Sequence, residues 1–291
     1  MSDLMPVSRP LRAIQQIQIG SIVSSSRSAH EVLAKLKTMG FEGIELNGFM
    51  TRPTSPLVRA LTRLAGMPIG RAGKVDWASH VRTAGLSVVA LHEDLGTIEK
   101  DPDGVAAVAA SFGTRTVVVT GMYRFDYTDE DALLSLSERL NVAGRSLQER
   151  RLGLLYHNHS VEFRRTKSGT TAFDFLLAHT DPDKLGIEFD CYWAAAAGAN
   201  PLVLMERIDA RMKLLHITDR GSRRRGPSLT PIDRTDSVEL GCGNLDVNGL
   251  IAGAIGIGVE AIILETHRNW IDRSPLRSAE LSSEVLNTLL P

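Results

Sequence analysis

Short apolar runs recur along the chain, each bounded by Gly, Pro or charge, with helical stretches between them. The candidate strands cover 14–23, 43–47, 87–94, 115–122, 152–159, 185–193, 213–219 and 260–268. Most are continuously apolar, as strands of a parallel sheet covered by helices are. Segments such as "SAHEVLAKLKTMG", "DEDALLSLSERLNVAGRSLQERR" and "RSAELSSEVLNTLL" carry helical patterning, and Asp129 and Asp246 stand where N-caps belong. Eight strands, each followed by helical sequence, predict an α/β fold, a single (β/α)8 TIM barrel. A doubly wound open sheet is the alternative, but no glycine-rich fingerprint follows the first strand to favour it.

No linker or composition shift divides the chain, so residues 1–291 read as one domain with a tail over 1–13. Two long excursions follow strands, at 48–74 and 221–237, and so belong to the C-terminal face where barrels keep their active sites. The second contains Arg223, Arg224 and Arg225, guanidinium groups suited to an anionic or multiply hydroxylated substrate. A solvated basic loop or an oligomer contact weighs slightly more for that run.

The polar residues near the strand ends come in pairs two apart, which share one face of a strand. They are Glu45 and Asn47, His92 and Asp94, His157 and His159, Glu188 and Asp190, His216 and Thr218, and Glu265 and His267. One strand-end histidine is usually a structural hydrogen-bonding residue. Four such strands, with carboxylates beside them, are harder to explain that way, because buried charge is costly unless paired or metal-bound. A mixed His/Asp/Glu set suits a borderline divalent cation.

Composition narrows the partners. At 43% apolar and 23% charged, the 291 residues are those of a globular protein. A net charge of −1 offers no basic field for nucleic acid or an anionic membrane. Two cysteines outside any CxxC pair make no disulfide framework and fit a cytoplasmic protein. The first residues hold no signal-peptide-like apolar run, and no stretch has transmembrane length.

The motifs "GFEGIELNGF", "YHNHSVEF", "GIEFDCYWAAAAGANP", "LLHITDR", "ELGCGNLDV" and "ILETHRNW" resemble the xylose isomerase-like barrel superfamily over nearly the whole chain. That superfamily includes sugar phosphate isomerases/epimerases, ketose 3-epimerases and inosose dehydratases. The "YHNH" strand is similar to its inosose dehydratase-like branch. The resemblance implies one divalent metal bound by residues on strands five to eight. By motif these are Asp190, His216 and Glu265, with His157 where many relatives have Glu, and Glu162 as the alternative first ligand. Manganese is the first expectation, with cobalt, zinc and magnesium as alternatives.

The leading reading is an enzyme that removes a proton beside the carbonyl of a keto-sugar, keto-glycoside or keto-cyclitol through an enediolate. Glu265 or His157 takes the proton and His92 binds or protonates a substrate oxygen, while Glu45, His159, Trp193, Arg220 and His267 line the substrate site. With histidine in place of one glutamate, isomerisation or dehydratase/lyase-type elimination is expected ahead of two-glutamate epimerisation. A non-catalytic or partner-dependent subunit with a metal site is the alternative, and an endonuclease IV-like nuclease is a distant third. A homo-oligomer or a partner subunit is compatible with either main reading.

Overall fold

In a computed structural model, residues 9–52, 75–122, 124–223, 226–227 and 230–290 are described. Eight strands close a parallel barrel in the order β1-β10-β7-β6-β5-β4-β3-β2. They are β1 (Leu11–Gln15), β2 (Gly43–Asn47), β3 (Ser87–His92), β4 (Thr116–Thr120), β5 (Gly153–His157), β6 (Leu185–Asp190), β7 (Met212–Ile217) and β10 (Ala261–Leu264). Two short strands, β8 (Asp219–Gly221) and β9 (Asp236–Val238), form an antiparallel hairpin between β7 and β10.

Strand residues facing outward pack on helices. Ile44, Leu46, Leu91, Val117, Phe189 and Leu215 join Leu33, Leu36 and Leu140 of helices Ser26–Thr38 and Glu130–Gln148 in one large core. Each such buried side chain contributes about 2 kcal/mol. The predicted caps form: Asp129 accepts from Asp131 N and Ala132 N, and Asp246 from Gly249 N.

Residues facing inward fall into two levels. The lower level is apolar: Ala13, Ala90, Val118, Leu155, Leu214 and Ile263 pack together and plug the barrel. The upper level lies toward the C-terminal ends. The pairings Asn47 with His92, His157 with Glu188, and Asp190 with His216 put its polar residues side by side. The two-residue period thus lifts chemistry directly above a dry plug.

The first strand departs from expectation. The run 14–23 reads as a strand, but β1 occupies Leu11–Gln15, beginning inside the predicted tail, and Gln16–Ile19 is a turn of helix. Glutamine side chains cause this. Gln15 Oε1 accepts from Ile17 N at 3.0 Å and starts the turn. Gln16 Oε1 then accepts from Asn47 N at 2.8 Å, and Gln18 Oε1 from Thr266 N at 3.0 Å. Side-chain carbonyls thereby replace the backbone partners that a longer β1 would have offered.

The excursion predicted at 48–74 begins as a helical turn, Gly48–Thr51, and residues 53–74 lie outside the described residues. The excursion at 221–237 is largely the connection of the β8–β9 hairpin. Asp219 anchors its base. This side chain is 1% exposed and accepts backbone N–H groups from Arg220, Gly241, Gly243 and Leu245 at 2.7–3.1 Å. The "LGCGN" run supplies the cradle. Gly241 has φ +78°, and a Cβ on Gly243 would lie 2.3 Å from Asp219 Oδ1.

Candidate metal centre

Each strand delivers its polar residue by ending where it does. On β5, His157 is the last residue, and on β6 Asp190 is the last. Asp190 also caps the following helix, Cys191–Ala196, by accepting from Trp193 N at 2.9 Å. His216 is the penultimate residue of β7. Glu265 follows β10 directly and keeps one ladder bond, its N–H to Ile217 O at 3.1 Å.

These four side chains converge. His157, Asp190, His216 and Glu265 place one ligand atom each within 4.8 Å of the others, and all are buried. His216 Nδ1 lies 2.8 Å from Glu265 Oε2, and His157 Nε2 lies 3.9 Å from Asp190 Oδ2. Just below, His157 Nδ1 meets Glu188 Oε2 at 2.9 Å, and His216 Nε2 meets Glu45 Oε2 at 2.7 Å. His92 Nε2 is 3.0 Å from Glu45 Oε2 and 3.2 Å from Glu188 Oε2. Although close, its angles do not make it a hydrogen bond, so this nitrogen is buried without a partner.

Four carboxylates and three imidazoles therefore share one desolvated space. The electrostatics follow. Burial alone would lower the pKa of His92, but the Glu45 and Glu188 carboxylates push it up to about 10. His216 is raised well above the ordinary imidazole range: burial opposes this, and Glu188, Glu45 and Glu265 prevail. Glu188 and Glu265 are held well below the usual carboxylate range despite burial, Glu188 by His216 and His92, Glu265 by His267 and His216. Burial raises Asp190. The space calls for positive charge, from protons or from a cation.

A divalent ion fits it. Glu45 Oε1, Glu188 Oε1 and His92 Nε2 are buried without hydrogen-bond partners, which a polar interior seldom tolerates. The donors are nitrogen and carboxylate oxygen only, the set that suits zinc, cobalt or manganese.

The other expected residues divide. His159 stacks edge-on to His157 with ring centroids 5.0 Å apart, and Trp193 lies 5.8 Å from His159 and 5.6 Å from His267. His267 Nε2 is 3.2 Å from Glu265 Oε1. These three rings form a wall beside the carboxylates, and Trp193 Nε1 and His267 Nδ1 have no partner there. Burial and the nearby His157 push His159 down to about 3, so its ring is neutral. Glu45 is 0% exposed and His92 7%, and both join the cluster through the contacts with His216, Glu188 and each other just given. Arg220 stands on β8, where its N–H and carbonyl are tied to Asp219 and Asn244.

Glu162, the alternative first ligand, points elsewhere. It accepts from Tyr156 Oη at 2.8 Å and from His159 N at 2.9 Å, leaving His157 in the cluster. Asp94 and Thr218 are also outside it. Asp94 caps the helix Leu95–Lys100, and Thr218 bonds Val238 O and Thr266. Arg223 pairs with Glu239 and, with Arg234 and Asn269, lines a cleft of about 570 Å³, while Arg224 and Arg225 lie outside the described residues.

Sequence reasoning passed over two members of the cluster. Gln15 donates to Glu45 Oε2 at 2.9 Å and accepts from Asn47 Nδ2 at 2.7 Å. Its period-two position above Ala13 was the available signal. Glu188 was visible as the partner of Asp190 but had no role assigned.

The family model for the xylose isomerase-like TIM barrel matches residues 33–289. The chain belongs to that family. It is 22% identical over 205 residues to the inosose dehydratase of Clostridium beijerinckii, covering 65% of this chain and 62% of that one. It thus spans less than two thirds of the length of the curated relatives it matches. A sugar phosphate isomerase/epimerase from Parabacteroides distasonis superposes with a TM-score of 0.77 at 21% identity, covering 100% of this chain and 98% of that one. A xylose isomerase-like TIM barrel protein from Mycobacterium smegmatis, in complex with magnesium, gives a TM-score of 0.65 at 16% identity over 97% of both chains. No helix among the described residues is long and apolar enough to cross a membrane.

Proposed function

We propose that this protein is a divalent-metal-dependent enzyme acting on a keto-sugar, keto-glycoside or keto-cyclitol by removing a proton beside the carbonyl. The observation that carries the reading is the buried His157, Asp190, His216 and Glu265 set above the barrel's apolar plug. The dehydratase and isomerase/epimerase names of its relatives support the substrate class. His157, Asp190, His216 and Glu265 hold the ion. When bound, it supplies a Lewis acid that favours an enediolate.

Glu265 is the base. Its Oε1 lies 3.2 Å from His267 Nε2, and its Oε2 is steadied by His216 at 2.8 Å. The neutral His159 ring and the unpartnered Trp193 Nε1–H and His267 Nδ1 meet substrate hydroxyls. His267, beside Glu265, is placed to hand a proton to a departing oxygen. Its pKa is raised: burial opposes the rise and the Glu265 carboxylate outweighs it. An imidazole opposite a carboxylate favours isomerisation or elimination over two-glutamate epimerisation.

The test is solvent exchange. Metal-loaded protein in D₂O, given keto-inositols and free ketoses, is expected to exchange or lose the hydrogen beside the carbonyl, and Glu265→Gln is expected to stop it. Absence of exchange with every such compound would sink the mechanism. Clean C3 epimerisation of free ketoses would overturn the preference for elimination.

A further inference from the structure

The two shared histidines present their ring nitrogens to different ligand sets, and on β6 the Glu188 of one set lies two residues below the Asp190 of the other. The upper set is the one just described: His157 Nε2 on the Asp190 side and His216 Nδ1 on the Glu265 side. The lower set is His157 Nδ1, 2.9 Å from Glu188 Oε2, and His216 Nε2, 3.4 Å from the same oxygen, with His92 Nε2 3.2 Å from it. His92, His157, Glu188 and His216 also bring one ligand atom each within 4.8 Å of one another, and all four are buried. The partnerless His92 Nε2 and Glu188 Oε1 belong to this lower set.

We infer that the barrel has a second, deeper metal position, made by His92, His157, His216 and Glu188, which shares two rings with the upper position and excludes it. The exclusion is chemical. A neutral imidazole has one lone pair, and the other nitrogen carries its proton. Filling both depths would require both rings to give up that proton, so the pair of positions holds one ion. The donor sets differ in kind. The upper position offers two nitrogens and two carboxylates, which suits manganese. The lower offers three nitrogens and the Glu188 carboxylate, with Glu45 Oε2 beside two of those nitrogens, which suits zinc, cobalt and above all copper(II). An ion there is held without Asp190 and Glu265, the carboxylates of the upper set. The two donor sets thus sort metals. The upper half of this inference rests on the proposed function, and the lower half does not.

Copper(II) bound to the full chain reports the depth, because electron spin-echo spectroscopy counts coordinated imidazoles. Native protein is expected to bind one copper ion with three imidazoles, and His92→Ala to bind one with two. Asp190→Asn/Glu265→Gln is expected to keep its copper and all three imidazoles. Two coordinated imidazoles in native protein, unchanged by His92→Ala, would overturn the deeper position. So would loss of copper from a folded Asp190→Asn/Glu265→Gln variant. Two copper ions per native chain would overturn the exclusion. None of these readouts depends on turnover, so failure of solvent exchange with manganese would be a separate result.

Discussion

Asp219 is 1% exposed and Glu188 is 0% exposed; Glu188 stands near the C-terminal end of β6, and Asp219 begins β8, the short strand that follows β7. Around Asp219 four backbone N–H groups converge, from Arg220, Gly241, Gly243 and Leu245. Around Glu188 only imidazoles converge, and one of its oxygens has no hydrogen-bond partner. Burying a carboxylate costs several kcal/mol in either place. Backbone donors that cannot titrate or leave offset that cost permanently at Asp219. Histidines that can trade a proton for an ion offset it conditionally at Glu188. A buried acid wrapped in main chain is scaffold, and one that faces imidazoles among the described residues is a candidate site.

The comparison predicts opposite phenotypes. Asp219→Ala orphans four donors and is expected to cost about 4 kcal/mol of stability by urea denaturation, with metal content per folded molecule unchanged. Metal loss from a folded Asp219→Ala protein would erase the distinction. Asp190→Ala and His216→Ala are expected to weaken manganese binding by about 100-fold, roughly 2.7 kcal/mol, while the metal-free barrel stays folded. Elemental analysis of dialysed protein is the measurement, and full metal content in both variants would refute the assignment.

Smaller effects sharpen the same contrast. Gly243→Ala pushes a methyl against Asp219 Oδ1 and Arg220 O, at 2.3 and 2.6 Å, and is expected to lower stability by about 2 kcal/mol. An unchanged unfolding midpoint would mean that the cradle is looser than its distances. Glu42 adds a carboxylate of a third kind, nearer the surface and paired with Arg9 at 2.8 Å and Arg12 at 3.2 Å. Arg9 holds it down to about 2, against burial, with Arg12 assisting. A folded-state value below the unfolded one gives stability that is present above about pH 4.5 and lost as pH falls toward 2. The loss is expected to stay under about 1 kcal/mol, because the group is partly exposed and screened. Glu42→Gln should flatten the stability curve in that window, and an unaltered curve would leave the pair without weight.

Much of this barrel was legible in the chain because its strands are apolar throughout and its pairs keep period two. Glu188 with Asp190 and His157 with Glu188 are juxtapositions that strand parity and neighbouring strands imply. The first strand was misread because "IQQIQI" alternates like a strand, whereas Gln15 starts a turn by accepting from Ile17 N, and Gln16 and Gln18 accept N–H groups of other segments. The last two roles depend on residues 31 and 248 positions away, which periodicity does not carry. Trp193 sits on a helix rather than a strand, because Asp190 begins a helix as soon as β6 ends. The "LGCGN" run was legible as a motif and opaque as a device, since the acid it cradles lies about twenty residues earlier. His92 and Glu45 were picked out from strand parity, and the structure brings both into the cluster beside His216 and Glu188.

The glutamine clasp also bears on the order in which the molecule assembles. β1 must pair with β2 nearby and with β10 at the far end of the chain, Leu11 opposite Ala261. Gln16 reaches the β2 side over 31 positions and Gln18 reaches Thr266 over 248. Closing the longer loop costs only about 2 kcal/mol more chain entropy than closing the shorter, by logarithmic scaling. Long-range pairings nevertheless form late, since little rewards them until the intervening strands are in register. The β1–β10 seam is therefore the last gap to shut, and Gln18 is its latch. Amide exchange at Thr266 reads the opening of that seam, and exchange at Asn47 reads the half that closes first.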